Sequence, residues 1–487
     1  MWLFHHYLLN GNLKNLFFKR MKIIFNLKIL LQRLLLAISF ALGLLSPISH
    51  AQETIDLISL YQEALRNDSL LSSARFQNEA TRELIKQGKS LFLPSITMNA
   101  SFDKQDKERK FLTSALPSND LLSGRKVNYE TYDYGVTVKQ PLFNYSAYAQ
   151  YKKILTQINL SDKQLIKTQQ DLILRISKTY FETLLAKDQV DLFQSQRASI
   201  QEQLSKAEAQ FEAGLISITD INEAKTKKAL IEAQQISAIQ KLKIKKREIQ
   251  VITGKLPGKL TPLNPIITFT EIDNLADDWI AIAQENNLEL QIKKDEIKIA
   301  EREIDSRRSG HYPTIDAIAN RSRNWDKGGY PYGVTKNEGI RSYSDTIGIE
   351  INIPIFSGGM TSSRVREAVL LKSKLEEDVE YLRRGIELKV RDYYLSLQTN
   401  FSEISAYQQA MKSATLQLES TQLGFQEGLR NSVEVLDSQQ ILFNAKLNVL
   451  ESRYNYIMNF INLKLSAGML SIEDLNEINQ YLMMSST

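Results

Sequence analysis

Few residues in this 487-residue chain have types and spacings that could do chemistry. Glu434 and Asp437 stand at i and i+3, which puts both carboxylates on one face of a helix. Carboxylates that close would raise each other's apparent pKa and draw in cations. In isolation such a pair is more often a solvated acidic helix face, and both readings stand at this point. Glu223 is a related acid, lying 214 positions before Asp437. The parts of a catalytic centre are missing. There is no cysteine, which removes thiol catalysis, disulfides, thiolate metal sites and a lipoprotein-type anchor. His311 is the sole histidine after Gln52, so histidine zinc sites and Ser–His relays lack components, and its GHYP setting reads as a turn. Gly88-Lys89-Ser90 resembles the end of a phosphate loop, but Glu83 replaces the first glycine and a helix precedes it. No catalytic residue, cofactor or metal is expected. The chemistry to look for is electrostatic.

The elements that must position these acids come twice. QFEAGLISITDINEA (210–224) aligns with GFQEGLRNSVEVLDS (424–438), so Gly214 falls on Gly428, and Gly254 falls on Gly468 at the same offset. LPSITMNASF (93–102) matches YPTIDAIANR (312–321), and VKQPLF (138–143) matches INIPIF (351–356). A duplication of this size predicts one pseudo-symmetric body and argues against a single-pocket enzyme. The spacing predicts a first repeat over 52–262, a second over 263–475 and a short tail over 476–487.

The segment between Pro141 and Gly214 contains neither glycine nor proline. Val190, Phe193, Arg197, Ile200, Leu204, Ala207 and Phe211 recur at alternating spacings of three and four, and Ile404, Tyr407, Met411, Ala414, Leu418, Thr421 and Phe425 keep the same frame. That seam predicts two antiparallel coiled-coil hairpins, running to Gly254 and Gly468, with helices far longer than globular ones. A helix is also expected over 275–309.

Elsewhere the period falls to two, predicting strand pairs at 94–105 with 132–143 and at 313–323 with 344–356. Ile96, Met98, Ala100 and Phe102 share one face; Tyr132, Tyr134, Val136 and Val138 alternate with Asp133, Thr137 and Lys139. Isoleucines from 347 to 355 alternate with Glu350 and Asn352, while Ile318 falls on the polar side of its strand. Strands of about ten residues, apolar outward and polar inward, suit a membrane barrel. Phe143 and Phe356 fit either an interfacial aromatic belt or core packing. Pro141 and Pro354 are expected to mark the change from strand to helix, and 104–131 and 323–342 to form extracellular loops. Four strands leave two edges that hydrocarbon cannot satisfy, so copies must pool strands, and three copies give about twelve. Two would give about eight, a barrel filled by its own side chains. A coiled-coil adhesin without a conduit is the rival reading, and it has no use for a polar strand face.

Lys22, Lys28 and Arg33 precede the apolar run Leu34–Leu45, and Ser49-His50-Ala51 supplies a cleavage site. Residues 1–51 therefore read as an N-terminal extension and signal peptide, with Met1 and Met21 both plausible starts. That segment holds six of the 61 basic residues and no acidic one, leaving 55 against 56 acidic. A nucleic-acid partner is not supported.

With these residues in view, the chain resembles the TolC-type outer membrane channel-tunnel proteins over residues 53–475. The resemblance rests on GHYPTID (310–316), IPIFSGGM (353–360), FEAGLISITD (211–220), EVLDSQQILFNAK (434–446) and RYNYIMNFINLK (453–464). It implies a mainly α protein with a β-barrel part: as a homotrimer, a 12-strand barrel continued by a helical tunnel. The barrel would cross the outer membrane of a Gram-negative bacterium and meet outer membrane lipid, with the tunnel in the periplasm. The implied function is the exit duct of tripartite efflux or type I secretion. The implied partners are a periplasmic adaptor protein and an inner-membrane pump, an ABC exporter or an RND type. The resemblance also places Glu434 and Asp437 in a constricting acidic ring at the closed end, with Glu434 where an aspartate is usual. Arg430 matches a tether whose partners would be Asp220 and Thr219. Phe425 replaces a frequent tyrosine of that tether, and Glu223 would enlarge the acidic ring.

Overall fold

Asp68 and Asn287 interrupt what the sequence reads as continuous helix, and both do so by capping. Asp68 Oδ1 accepts from Leu71 N at 2.7 Å, and Asn287 Oδ1 from Leu290 N at 3.0 Å. A short polar side chain that bonds the backbone ahead of it offers the chain an extended residue in place of another helical one. The helix expected over 275–309 is therefore two. The computed structural model describes residues 54–109, 125–214, 216–272, 275–328 and 339–483. The signal segment, and parts of both expected extracellular loops, lie outside the described residues.

Each repeat runs through the same series. The first contains α1 (Leu57–Asn67), α2 (Ser69–Ser90), β1 (Ser95–Arg109), β2 (Arg125–Asn144), α3 (Tyr145–Glu212) and α4 (Ile218–Thr253). The second contains α5 (Ala276–Asn286), α6 (Leu288–Arg308), the 3-10 turn Ser309–His311, β3 (Thr314–Gly328), β4 (Ile340–Asn352), α7 (Met360–Gln426) and α8 (Ser432–Ser466). A last helix, α9 (Ile472–Asn479), follows. It buries Leu475 and Ile478, so the expected tail boundary after 475 cuts through a packed helix. Asn479 accepts from Leu57 N at 3.1 Å and donates to Asp56 Oδ2 at 3.0 Å, tying α9 to α1. The main core gathers there, with Leu57, Leu172, Ile176, Phe181, Ile249 and Ile457 all buried.

The four strands form one antiparallel sheet in the order β1-β2-β3-β4. Register sorts the faces. Lys139 pairs with Ser95 and Ile318, and Asp316 with Glu350, so Thr97, Asn99, Asp133, Thr137, Asn320 and Thr346 share one polar face. Lys139 Nζ meets Asp316 Oδ2 on it at 2.8 Å. Ile318 lies on that face, as its sequence position requires. The opposite face carries Ile96, Met98, Val136, Val138, Ile347 and Ile349, and Ile347 is 90% exposed. Phe143 and Phe356 are exposed too, so neither packs in a core of this chain.

The strands span 15, 20, 15 and 13 residues, longer than the ten or so that cross hydrocarbon. Pro141 lies inside β2, not after it. Lacking an N–H, it sits at a bulge between Pro141 and Phe143, and α3 starts only at Tyr145, capped by Asn144. Pro354 does fall past the end of β4.

At about 1.5 Å per residue, α3 extends roughly 100 Å from the sheet to its turn. Gly214 (φ +74°) and Gly428 (φ +75°) end α3 and α7 in the left-handed region where a Cβ is costly. Ile200, Leu204, Ala207, Ile404 and Ala414 of the expected seams are buried, whereas Arg197 and Phe211 are exposed. The hairpins also pack on each other, because Leu436 and Phe443 of α8 join Ile200, Leu204 and Ile221 of the first hairpin in one cluster.

Candidate functional site

The two hairpin turns are built alike, because each return helix must satisfy the orphan N–H groups of its first turn. Ser217 caps α4 and Asn431 caps α8, 214 positions apart, and each is followed three residues on by an acid. Asp220 Oδ2 accepts from Ser217 N at 3.3 Å, and Glu434 Oε1 from Asn431 N at 3.4 Å. Asp220 and Glu434 are thus equivalent members of two capping boxes. One turn further, Glu223 and Asp437 are equivalent in the same way.

Glu434 has a second commitment. Arg430 Nη1 donates to its Oε2 at 2.6 Å. The guanidinium, aided by the Asn431 backbone, holds the Glu434 carboxyl below its ordinary range, and nearby Asp437 only weakly opposes this. For Glu434 the mutual raising expected of adjacent carboxylates does not prevail within one chain, because Arg430 lies beside it. Arg430 does not reach Asp220 within the chain. Asp220 bonds its own N-cap, and Ser217 Oγ donates to Thr219 Oγ1 at 3.1 Å. Phe425 takes part through its backbone, accepting from Gly428 N at 3.1 Å.

Lys227 is the residue that sequence reasoning missed. Its Nζ donates to Asp437 Oδ1 at 2.6 Å and lies 3.1 Å from Glu223 Oε1. The helical i, i+4 spacing from Glu223 was available as a signal; the contact with Asp437 required the packing of α4 on α8. Glu223, Glu434 and Asp437 are therefore set against Arg430 and Lys227, leaving one net negative charge per chain among these five groups. Thr421, Arg430, Glu434, Asp437 and Ser438 line an open cleft of about 360 Å³ beside α7 and α8. Among the described residues no group of three or more His, Cys, Asp or Glu side chains converges to hold a metal. His311 sits exposed in the 3-10 turn.

Such an arrangement can bind and repel ions and can hold two hairpins together. Comparison with known proteins agrees with a channel. The model of the family described as "Outer membrane efflux protein" matches residues 60–255 and 279–469. The chain is 29% identical over 451 residues to the outer membrane protein TolC of Vibrio cholerae, covering 91% of this chain and 97% of that one. It is 25% identical over 433 residues to the proteases secretion protein PrtF of Dickeya chrysanthemi, covering 88% and 91%. Its fold is similar to that of the outer-membrane channel OprN, with a TM-score of 0.71 at 15% identity over 85% of this chain and 90% of that one.

Proposed function

This chain belongs to the outer membrane efflux protein family, and from that premise we propose that three copies form one duct closed at the hairpin turns. It is an outer membrane channel protein serving efflux or secretion. The observation that carries the trimer is the sheet itself: four strands, one polar face, and unpaired edges on β1 and β4. Hydrocarbon does not tolerate those edges, and a twelve-strand barrel of about three such sheets leaves a wet lumen where four strands cannot. Lys139, Asp316 and Glu350 would line that lumen. Helices α3, α4, α7 and α8 of each copy would continue the wall through the periplasm, about twelve in all.

At the far end, Glu434, Asp437 and Glu223 of each copy would ring the axis, offset by Arg430 and Lys227. The ring favours cations but less strongly than bare carboxylates would. Arg430, released from Glu434, could reach Asp220 and Thr219 of the neighbouring copy. Ion pairs this exposed contribute about 0–1 kcal/mol each, so a docking adaptor could open what they hold shut. Relatives named for protease secretion support an inner-membrane exporter and a periplasmic adaptor as partners. Catalysis forms no part of this reading, and the wet sheet face has no role in an adhesin.

The test is direct. Purified protein in mild detergent is expected to run as a trimer and to conduct ions in planar bilayers. A stable monomer that never conducts would overturn the proposal.

A further inference from the structure

On the outward face of β3 and β4 the apolar run stops at Ala319 and Ile347, which pair with each other. The next three pairs on that face are Arg321 with Asp345, Arg323 with Tyr343, and Trp325 with Arg341. Arg323 lies nine residues beyond Thr314 at the helix end of the sheet. At about 3.3 Å per residue and a tilt near 40°, this is roughly 23 Å up a band about 25 Å tall. The arginines therefore stand where hydrocarbon gives way to the outer-leaflet headgroups.

An aromatic row marks the same level. Phe102, Tyr132 and Trp325 are register neighbours with ring centroids 4.9 and 5.2 Å apart, and the Arg341 guanidinium lies 5.0 Å from the Trp325 ring. One row below, the Arg323 guanidinium lies 4.7 Å from the Tyr343 ring. Each of these arginines spends a face on an aromatic ring; Arg323 Nη1 also donates to Ser322 O at 3.0 Å, so its Nε and Nη2 and the Arg341 N–H edge are what can bond something else. Among the described residues Asp345 is the carboxylate that pairs with them, shared by Arg321 at 3.5 Å and Arg323 at 3.3 Å. Three guanidinium groups against one carboxylate leave two positive charges. The row above, Lys104, Glu130 and Lys327, adds a third.

A surplus of cations on a lipid-facing surface is costly unless an anion lies at the same depth. We infer that this belt binds the phosphate groups of an outer-leaflet lipid, Arg323 and Arg341 presenting their N–H edges to phosphate oxygens while the acyl chains cover Ile347 and Ile349. Phosphate fits because a guanidinium fork donates two parallel hydrogen bonds to it. The inference rests on the reading that β1–β4 cross the outer membrane.

The test uses the full chain purified in mild detergent, incubated with bis-phosphorylated lipid A or its dephosphorylated form, with retained lipid counted by native mass spectrometry. Wild type is expected to retain the phosphorylated lipid at least about tenfold better than the dephosphorylated one. Arg323→Gln with Arg341→Gln should abolish that preference, and Arg323→Lys with Arg341→Lys should keep part of it while reporting that the sheet still assembles. Equal retention of the two lipids, no loss in the glutamine variant, or full displacement by millimolar inorganic phosphate would each overturn the lipid site. Quenching of Trp325 by brominated lipid in a Trp2→Phe, Trp279→Phe background, where it is the sole tryptophan, checks the membrane placement separately. An unquenched Trp325 refutes that placement and the lipid site with it, whereas quenching without phosphate preference refutes the lipid site alone.

Discussion

Lys227 on the first hairpin and Asp437 on the second are joined by a 2.6 Å ion pair, and Glu223 holds the same ammonium from 3.1 Å. Glu223 and Asp437 are duplicates of one ancestral position, so the duplication alone would set like charges near each other. Lys227, whose own duplicate is Ile441, breaks the symmetry and turns repulsion into a bridge between α4 and α8. Partial burial would by itself lower the Lys227 pKa, but the two carboxylates outweigh it and leave the value raised. The Lys227 ammonium therefore stays charged through the physiological range and gives up its proton only as pH rises past that raised value.

Replacing Lys227 with methionine should expose both acids to the pore and loosen the bond between hairpins. The cation-to-anion permeability ratio is expected to rise, with stronger block by multivalent cations. The gain in opening should be modest, at most about fivefold, because a pair this exposed contributes about 0–1 kcal/mol. Reversal potentials in a salt gradient measure it. No change would remove Asp437 from the conduction path.

The double substitution Glu434→Ala, Asp437→Ala should act in the opposite direction, weakening cation preference and multivalent block. Glu434 also belongs to a capping box, so part of the effect could come from a frayed α8. Asn431→Ala, which removes the side chain that accepts from Glu434 N and caps α8 while leaving both carboxylates in place, controls for this. Selectivity lost equally in both variants would trace to the caps and end the ring assignment.

The pH dependence follows from Arg430. Its guanidinium lowers the Glu434 pKa, so the pair is fully formed above the ordinary glutamate value of 4.5 and is lost as pH falls through the lowered one. Cation preference in wild type should therefore persist below that ordinary value. In Arg430→Ala the depressing partner is gone and Asp437 remains, so the loss should begin at higher pH, and resting conductance should rise with the trimer intact. Coincident pH profiles for the two proteins would refute the Arg430–Glu434 contact.

The features that were legible in sequence are those set by local periodicity. Strand faces, long helices and the terminating glycines follow from spacing and from φ alone, and the register confirms the faces down to Ile318. Side-chain competition for the backbone was harder to read. Asp68 and Asn287 stop helices whose apolar pattern continues, and Pro141 is absorbed by a bulge within β2. Least legible were contacts between elements distant in sequence. Lys227 meets Asp437 only because α4 packs on α8, and α9 joins the core by burying Leu475 and Ile478 while Asn479 bonds Asp56 and Leu57.

Asp68 offers a test of the core below the hairpins. Its side chain is 3% exposed, caps α2, and accepts from both Arg175 Nη1 and Nη2 at 3.0 Å. Asp68→Ala removes the cap and strands a guanidinium that is only 32% exposed, at a cost of about 3–5 kcal/mol. Asp68→Asn keeps the cap and loses the charge, so it should fall between. Thermal unfolding followed by circular dichroism orders the three proteins, and an alanine variant as stable as wild type would show that Arg175 finds another partner.

The two faces of β4 give the most direct check on the membrane reading. Ile349 points away from the polar face, and Glu350 next to it pairs with Asp316 beside Lys139. A lysine at 349 would face hydrocarbon in every copy, costing up to about 2–4 kcal/mol each near the midplane. Glu350→Lys puts the same side chain on the wet face, a change of two charges there but opposite the Asp316 carboxylate, where lumen substitutions tune selectivity and leave assembly intact. Outer membrane fractions should thus lack heat-resistant trimer for Ile349→Lys and contain it for Glu350→Lys, the latter with altered ion preference. Two variants that assemble equally well would mean that the isoleucine face does not meet lipid.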